Sequence, residues 1–119
     1  MRDYKSLDVW KQSLYLCMKI YDVTANFPDF EKFGLSNQMQ RAAVSVPSNI
    51  AEGSGRNSDK DFYYFLGIAK GSLNELQTQV YIAAGRNYLS QEEAEKLDTL
   101  INEISKKLFR FMEKLSTPK

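Results

Sequence analysis

Four stretches of this chain place apolar residues at three- and four-residue steps, and that repetition restricts the fold to packed helices. The first runs through Leu7, Trp10, Leu14, Cys17, Tyr21 and Thr24, with Ser6 placed as its N-cap. Val9, Leu16, Ile20, Val23 and Phe27 form a second set off that stripe, so more than half of this helix's circumference is apolar. The second stretch carries Leu35, Met39, Ala42, Val46, Ile50 and Gly53, with Ser36 as the expected cap and Gly53-Ser54-Gly55 as its end. The third carries Phe62, Phe65, Leu66, Ala69, Leu73, Leu76, Val80 and Ala83. Ser58 caps it, with Asp61 behind, and it extends to Gly85 or Asn87, about 40 Å in length. In the fourth, Ser90 and Glu93 form a capping box ahead of a coiled-coil-like seam of Leu97, Ile101, Ile104, Leu108, Phe111 and Leu115.

The breaks between these stretches are short, and the one from Phe27 to Gly34 is marked by Pro28 and Gly34. Short connections between helices of similar length favour antiparallel neighbours. The expectation is an all-α, antiparallel, up-down-up-down four-helix bundle in which residues 1–119 form one domain. The main rival is a long hairpin that completes its core by dimerising. No alternating strand pattern of useful length competes.

Composition excludes several functional classes. The chain has 16 basic and 15 acidic residues and a net charge of +1, so it lacks the overall field of a strongly basic nucleic-acid binder. Histidine is absent and Cys17 is the only cysteine, which removes an internal disulfide, the usual zinc ligand sets, and serine–histidine or cysteine–histidine catalysis. Glu52 and Glu75 could pair across helices as acid and base, but no Glu-x-x-His motif accompanies them. The Gly53-Ser54-Gly55-Arg56 turn lacks the lysine and preceding strand of a phosphate loop. The expectation is a protein without cofactor and without catalysis. The charged N-terminus does not read as a secretory signal and no run of about 18 apolar residues occurs, which points to the cytoplasm and away from a membrane.

The second helix contains Pro47, whose missing amide hydrogen and bulky ring cost about 3 kcal/mol or more in a helix interior. Its small neighbours Ala42, Ala43, Ser45, Ser48, Ala51 and Gly53 allow close helix approach, so Pro47 reads as a packing device. On the other face Gln38, Arg41, Ser45, Ser48 or Asn49, and Glu52 make a polar ridge. Arg41 and Glu52 share a side but stand about 16 Å apart along the axis, so each needs a partner on another helix or another subunit. Three uses are open to the ridge: a solvated face, a polar layer inside an assembly, or a binding surface.

Cations gather at the end of the fourth helix, where Lys106, Lys107, Arg110, Lys114 and Lys119 stand against Glu113. They suit the negative end of the helix dipole and also a phosphate backbone. Arg2, Lys5, Lys11, Lys60, Lys70 and Arg86 are too scattered in sequence to define a phosphate track. Tyr4, Tyr15, Tyr63, Tyr64, Tyr81 and Tyr88 could stack on bases where exposed. Tyr64, Ile68 and Ile82 lie off the main seam of the third helix and favour association with another protein surface.

Leu7-x-x-Trp10, Phe27-Pro28, Gly34-Leu35-x-x-Gln38, the run from Arg41 through Pro47 to Gly53, and Gly71-Ser72-x-x-Glu75-Leu76 together resemble a bacterial four-helix-bundle family. That family is named for proteins encoded in intervening sequences of 23S ribosomal RNA genes and is also called the S23 ribosomal protein family. The resemblance covers nearly the whole chain, with the fourth helix matched by pattern alone. It implies a non-enzymatic bundle that assembles as a homopentamer, similar to the accessory variability protein of diversity-generating retroelements, which binds nucleic acid and a reverse transcriptase. Expected partners are therefore further copies of the chain, and a structured RNA or a nucleic-acid-processing protein.

Overall fold

The computed structural model describes residues 3–116. Four helices follow one another: α1 (Asp8–Thr24), α2 (Leu35–Ser54), α3 (Asp59–Gly85) and α4 (Gln91–Ser116). Short 3-10 turns at Tyr4–Ser6 and Asp29–Glu31 precede α1 and α2. Helices adjacent in sequence pack side by side, and α1 closes lightly on α4, which gives an up-down-up-down bundle about 50 Å long.

Local chemistry sets most helix boundaries. Ser58 Oγ accepts the Asp61 amide hydrogen at 3.1 Å at the start of α3. The Ser90–Glu93 box closes in both directions, with Glu93 N donating to Ser90 Oγ at 3.0 Å and Ser90 N to Glu93 Oε1 at 2.9 Å. Two expected caps differ. Ser6 lies in the first 3-10 turn, where its hydroxyl donates to Asp3 O, and the residue before α1 is Leu7. Ser36 sits inside α2 and is buried. The donor at the head of α2 is met instead by Glu31 Oε1, which accepts from Leu35 N at 3.1 Å. A Cβ at Gly34 would lie 2.7 Å from that oxygen, so a larger residue there would make the carboxylate shift from this position.

The end of α3 falls where expected, with Gly85 as the last helical residue and Asn87 just beyond it. Asn87, at φ 64°, takes the left-handed position, and Tyr88 N bonds back to Ala83 O at 2.9 Å. Asparagine tolerates this conformation better than most side chains, so Gly85 is not the residue that turns the chain. Tyr88 then donates its hydroxyl to Glu31 Oε2 at 3.0 Å and packs its ring against Phe27 at 5.2 Å. One carboxylate thus caps α2 and ties together the two loops at this end of the bundle.

The core is a continuous cluster in which Leu16, Ile20, Met39, Val46, Ile50, Phe62, Leu66, Leu73, Leu76, Ile101, Ile104 and Leu108 are wholly shielded. In α1 the deepest positions are Val9, Ser13, Leu16, Cys17, Ile20 and Thr24. The shielded face therefore draws on both sets, Val9, Leu16 and Ile20 from the second and Cys17 and Thr24 from the leading stripe, whose Tyr21 is 47% exposed. Burial raises the Cys17 thiol pKa, which keeps it protonated and unreactive. Helix α2 runs unbroken through Pro47, and the ring is buried. Pro47 lies two turns after Gln40, which donates to Thr24 Oγ1 of α1 at 2.9 Å, so both occupy the α1-facing side.

The closest approach is between α2 and α3. A Cβ on Gly53 would lie 2.7 Å from Phe65 Cβ and 2.9 Å from Phe62 Cδ1. Gly53→Ala should therefore destabilise the protein by about 1–2 kcal/mol, overpacking outweighing the gain in helix propensity. Gly67→Ala, whose Cβ would meet only Met112 Cε at 3.9 Å, should be neutral or stabilise by up to about 1 kcal/mol. Urea unfolding of both variants at one protein concentration checks the contrast.

Candidate interaction surfaces

The polar ridge of α2 divides along its length. Its inner edge belongs to the fold: Ser45 Oγ and Ser72 Oγ of α3 are 2.8 Å apart, and Asn49 Nδ2 donates to Ser45 O and Oγ at 2.8 and 2.9 Å. Its outer edge, formed by Gln38, Arg41, Ser48 and Glu52, is exposed. Glu52 is paired with Arg56 at 3.0 Å, four residues on and just past the helix end, so its partner comes from neither another helix nor another subunit. Both groups of this pair are about half exposed, and it contributes little to stability. Arg56 also lies over the Phe65 ring at 4.7 Å.

Arg41 has no acidic partner among the described residues. It lines a shallow depression of about 320 Å³ with Tyr21 of α1 and Asn37, Gln40, Val44, Ser45 and Ser48 of α2. The Ser45–Ser72 contact fixes the α2–α3 register and separates the two carboxylates that sequence offered as an acid–base pair. Glu52 lies two turns to one side of that contact and Glu75 one turn to the other, about 15 Å apart along the axis.

Large apolar side chains surround this region without cover. Met18 is 57% exposed, Tyr64 63%, and Tyr21, Val44, Ile68 and Ile82 are open to a lesser degree. They spread over the outer faces of α1, α2 and α3, a concentration greater than isolated surface residues require. Phe30 and Phe33 form a separate exposed tip on the α1–α2 loop. Several tyrosines are committed elsewhere. Tyr4 packs edge-on against Trp10 at 5.2 Å, and Tyr81 donates to Asp98 Oδ1 of α4 at 2.9 Å. That bond, with some burial and the Asp98 charge, raises the Tyr81 pKa.

The α1–α4 seam carries opposite charges at its two ends. Toward the loops tied by Glu31, a groove of about 880 Å³ has Asp22, Glu92, Glu93, Glu95 and Glu103 among its lining residues. Lys96, on the same groove, is paired with Glu92 at 3.0 Å. Past Glu103 the sign reverses. Lys107 is half-buried, and Lys106, Arg110 and Lys114 are exposed. Lys11 stands one turn before the groove residue Tyr15 on α1, while Lys107 stands one turn after Glu103 on antiparallel α4. Lys11 therefore joins the basic edge, an addition invisible at a separation of nearly the whole chain in sequence. Arg86 lies at the opposite end, and Lys119 and Arg2 fall outside the described residues. Among the described residues no group of three or more Asp, Glu or Cys side chains is placed to hold a metal ion, and no helix is long and apolar enough to cross a membrane.

Ser45→Ala should cost about 1 kcal/mol, since it removes the α2–α3 hydroxyl contact and one acceptor of the Asn49 amide. Glu52→Gln should stay within about 0.5 kcal/mol of the parent. Urea denaturation of the two variants measures the difference between the inner and outer edges of the ridge.

Among known proteins, a crystal structure of a protein of unknown function from the S23 ribosomal protein family of Bacteroides thetaiotaomicron VPI-5482 is similar, with a TM-score of 0.82 and 26% sequence identity. The similarity covers 88% of this chain and 95% of that one. No curated protein matches the chain. The 23S rRNA-intervening sequence protein family matches over residues 5–110, which takes in α1, α2, α3 and most of α4. The chain belongs to the family of 23S rRNA-intervening sequence proteins.

Proposed function

We propose that this protein is a non-enzymatic, self-associating scaffold that contacts RNA, working as a closed ring of copies in the bacterial cytoplasm. The observation that carries this reading is the segregation of two surfaces. Most uncovered apolar side chains of the helices lie on the outer faces of α1, α2 and α3, whereas cations gather where α4 ends beside the start of α1, with Phe109 the exposed apolar side chain among them. Copies can associate through the first surface and leave the second free for phosphate. The ring of five that the family resemblance implies would repeat the basic edge around a circle, and multivalent contact then offsets the weakness of each edge.

Catalysis has no place in this reading. Glu52 is an exposed, paired carboxylate, and Glu75 lies far from it on the outside of α3. Neither has the water-excluded setting that tunes a carboxylate for proton transfer. A second reading, a protein-binding adaptor without nucleic-acid affinity, draws on the acidic α1–α4 groove and the nearly neutral overall charge.

Fluorescence anisotropy with a structured ribosomal RNA fragment, across a salt series and with particle mass followed in the same buffers, separates the two. The scaffold reading expects affinity that falls steeply with salt while the assembly persists. Joint replacement of Lys106, Arg110 and Lys114 by glutamine should lower RNA affinity about tenfold or more and flatten the salt dependence, with mass unchanged. An intact assembly that ignores RNA even at low salt would favour the adaptor.

A further inference from the structure

We infer that copies of this chain join head-to-tail through Arg41 of one copy and Glu75 of the next, with Ile68 of the second copy covering Met18, Tyr21 and Val44 of the first. The inference rests on the self-association proposed above and names the two surfaces that meet.

Arg41 and Glu75 are both exposed, and among the described residues neither has an ion-pair partner. Each stands near exposed apolar side chains, although its immediate neighbours are largely polar. Arg41 opens onto the depression that Tyr21 and Val44 help to line. Glu75 lies seven residues from both Ile68 and Ile82, two helical turns in either direction, so the three share one outer stripe of α3. A cation beside Tyr21 and Val44 and a carboxylate midway between two exposed isoleucines of its stripe are complementary in charge, and apolar side chains stand within reach of both.

Their heights along the bundle also match. The Ser45–Ser72 contact pins α2 to antiparallel α3. Arg41 is four residues before Ser45, and Glu75 is three residues after Ser72, displacements of about 6 and 4.5 Å in the same direction. The two groups are level to within about 2 Å. The apolar partners follow the same register. The Gln40–Thr24 bond sets Met18 and Tyr21 on the Ser45 side of Arg41, the direction in which Ile68 lies from Glu75. Complementary groups at equal height allow a neighbour to be added by rotation about an axis parallel to the helices, without a climb. Rotation without translation closes a ring, whereas an axial offset would wind a filament. The two surfaces also lie on adjoining sides of the bundle, α1–α2 and α3, the turn a small ring requires.

The test is a charge-swap mixture followed by sedimentation velocity. Arg41→Glu alone and Glu75→Arg alone should each weaken association by about tenfold or more, because every contact would set like charges together. Mixing the two variants should restore association between unlike copies, since the carboxylate introduced at position 41 of one then meets the guanidinium introduced at position 75 of the other. A ring of five leaves one like-with-like contact, so the mixture recovers open or even-numbered particles, and the cis double variant recovers the parent mass. Circular dichroism should show both single variants fully helical. If the two groups act only within one chain, the cis double variant would recover assembly and the mixture would not, which overturns the inference. Single variants that assemble like the parent would overturn it too and leave self-association standing. A parent protein that is monomeric throughout would remove self-association itself.

Discussion

The closeness of α2 to α3 governs this structure. Gly53 has no room for a Cβ against Phe62 and Phe65, and Ser45 and Ser72 meet hydroxyl to hydroxyl further along the same interface. Small residues on α2 make this contact possible, and the contact settles the register of the two central helices. The relations between the α2 and α3 surfaces follow from that register, including the equal heights of Arg41 and Glu75 and the separation of Glu52 from Glu75. Pro47 is accommodated within the same helix on its α1-facing side, away from the serine contact.

Helix existence and order were legible because apolar spacing reports which face of each segment is shielded, and the Ser58 and Ser90 caps were legible because both act within one turn. The caps that sequence placed wrongly failed for a physical reason. A serine at position 6 or 36 is a good cap only if the chain enters the helix there, and Glu31 reaches the head of α2 from four residues upstream across Gly34. Gly85 and Asn87 were both legible as the end of α3, and the left-handed position falls to Asn87 because asparagine tolerates that geometry better than most side chains. In α1 the shielded face is centred on Leu16 and Ile20, a displacement that a helix apolar over most of its circumference cannot reveal by periodicity.

The candidate surfaces were only partly legible. Sequence identified the ridge of Gln38, Arg41, Ser45, Ser48 or Asn49, and Glu52 as one feature, but Ser45 and Asn49 serve internal packing while Gln38, Arg41, Ser48 and Glu52 face outward. The basic group on α4 was visible as a run, whereas Lys11 joins it only through antiparallel packing of α1 and α4. The acidic groove at the other end of that seam was not read from sequence: four of its carboxylates lie on α4 from Glu92 to Glu103, and only the packing of α1 adds Asp22 and makes them one groove. Charge that is nearly balanced over the whole sequence is thus unevenly placed along the α1–α4 seam, which composition alone cannot report.

Cover for the apolar side chains on α1, α2 and α3 is the feature on which the proposed function turns. Sedimentation equilibrium of the unmodified protein, from dilute to concentrated solution and from low to high salt, asks directly whether that cover is another copy. The expected result is a discrete multiple of the 13.7 kDa chain mass that survives high salt, as burial of apolar area requires. A particle of 13.7 kDa at every concentration would contradict it, and the exposed face would then belong to a different partner.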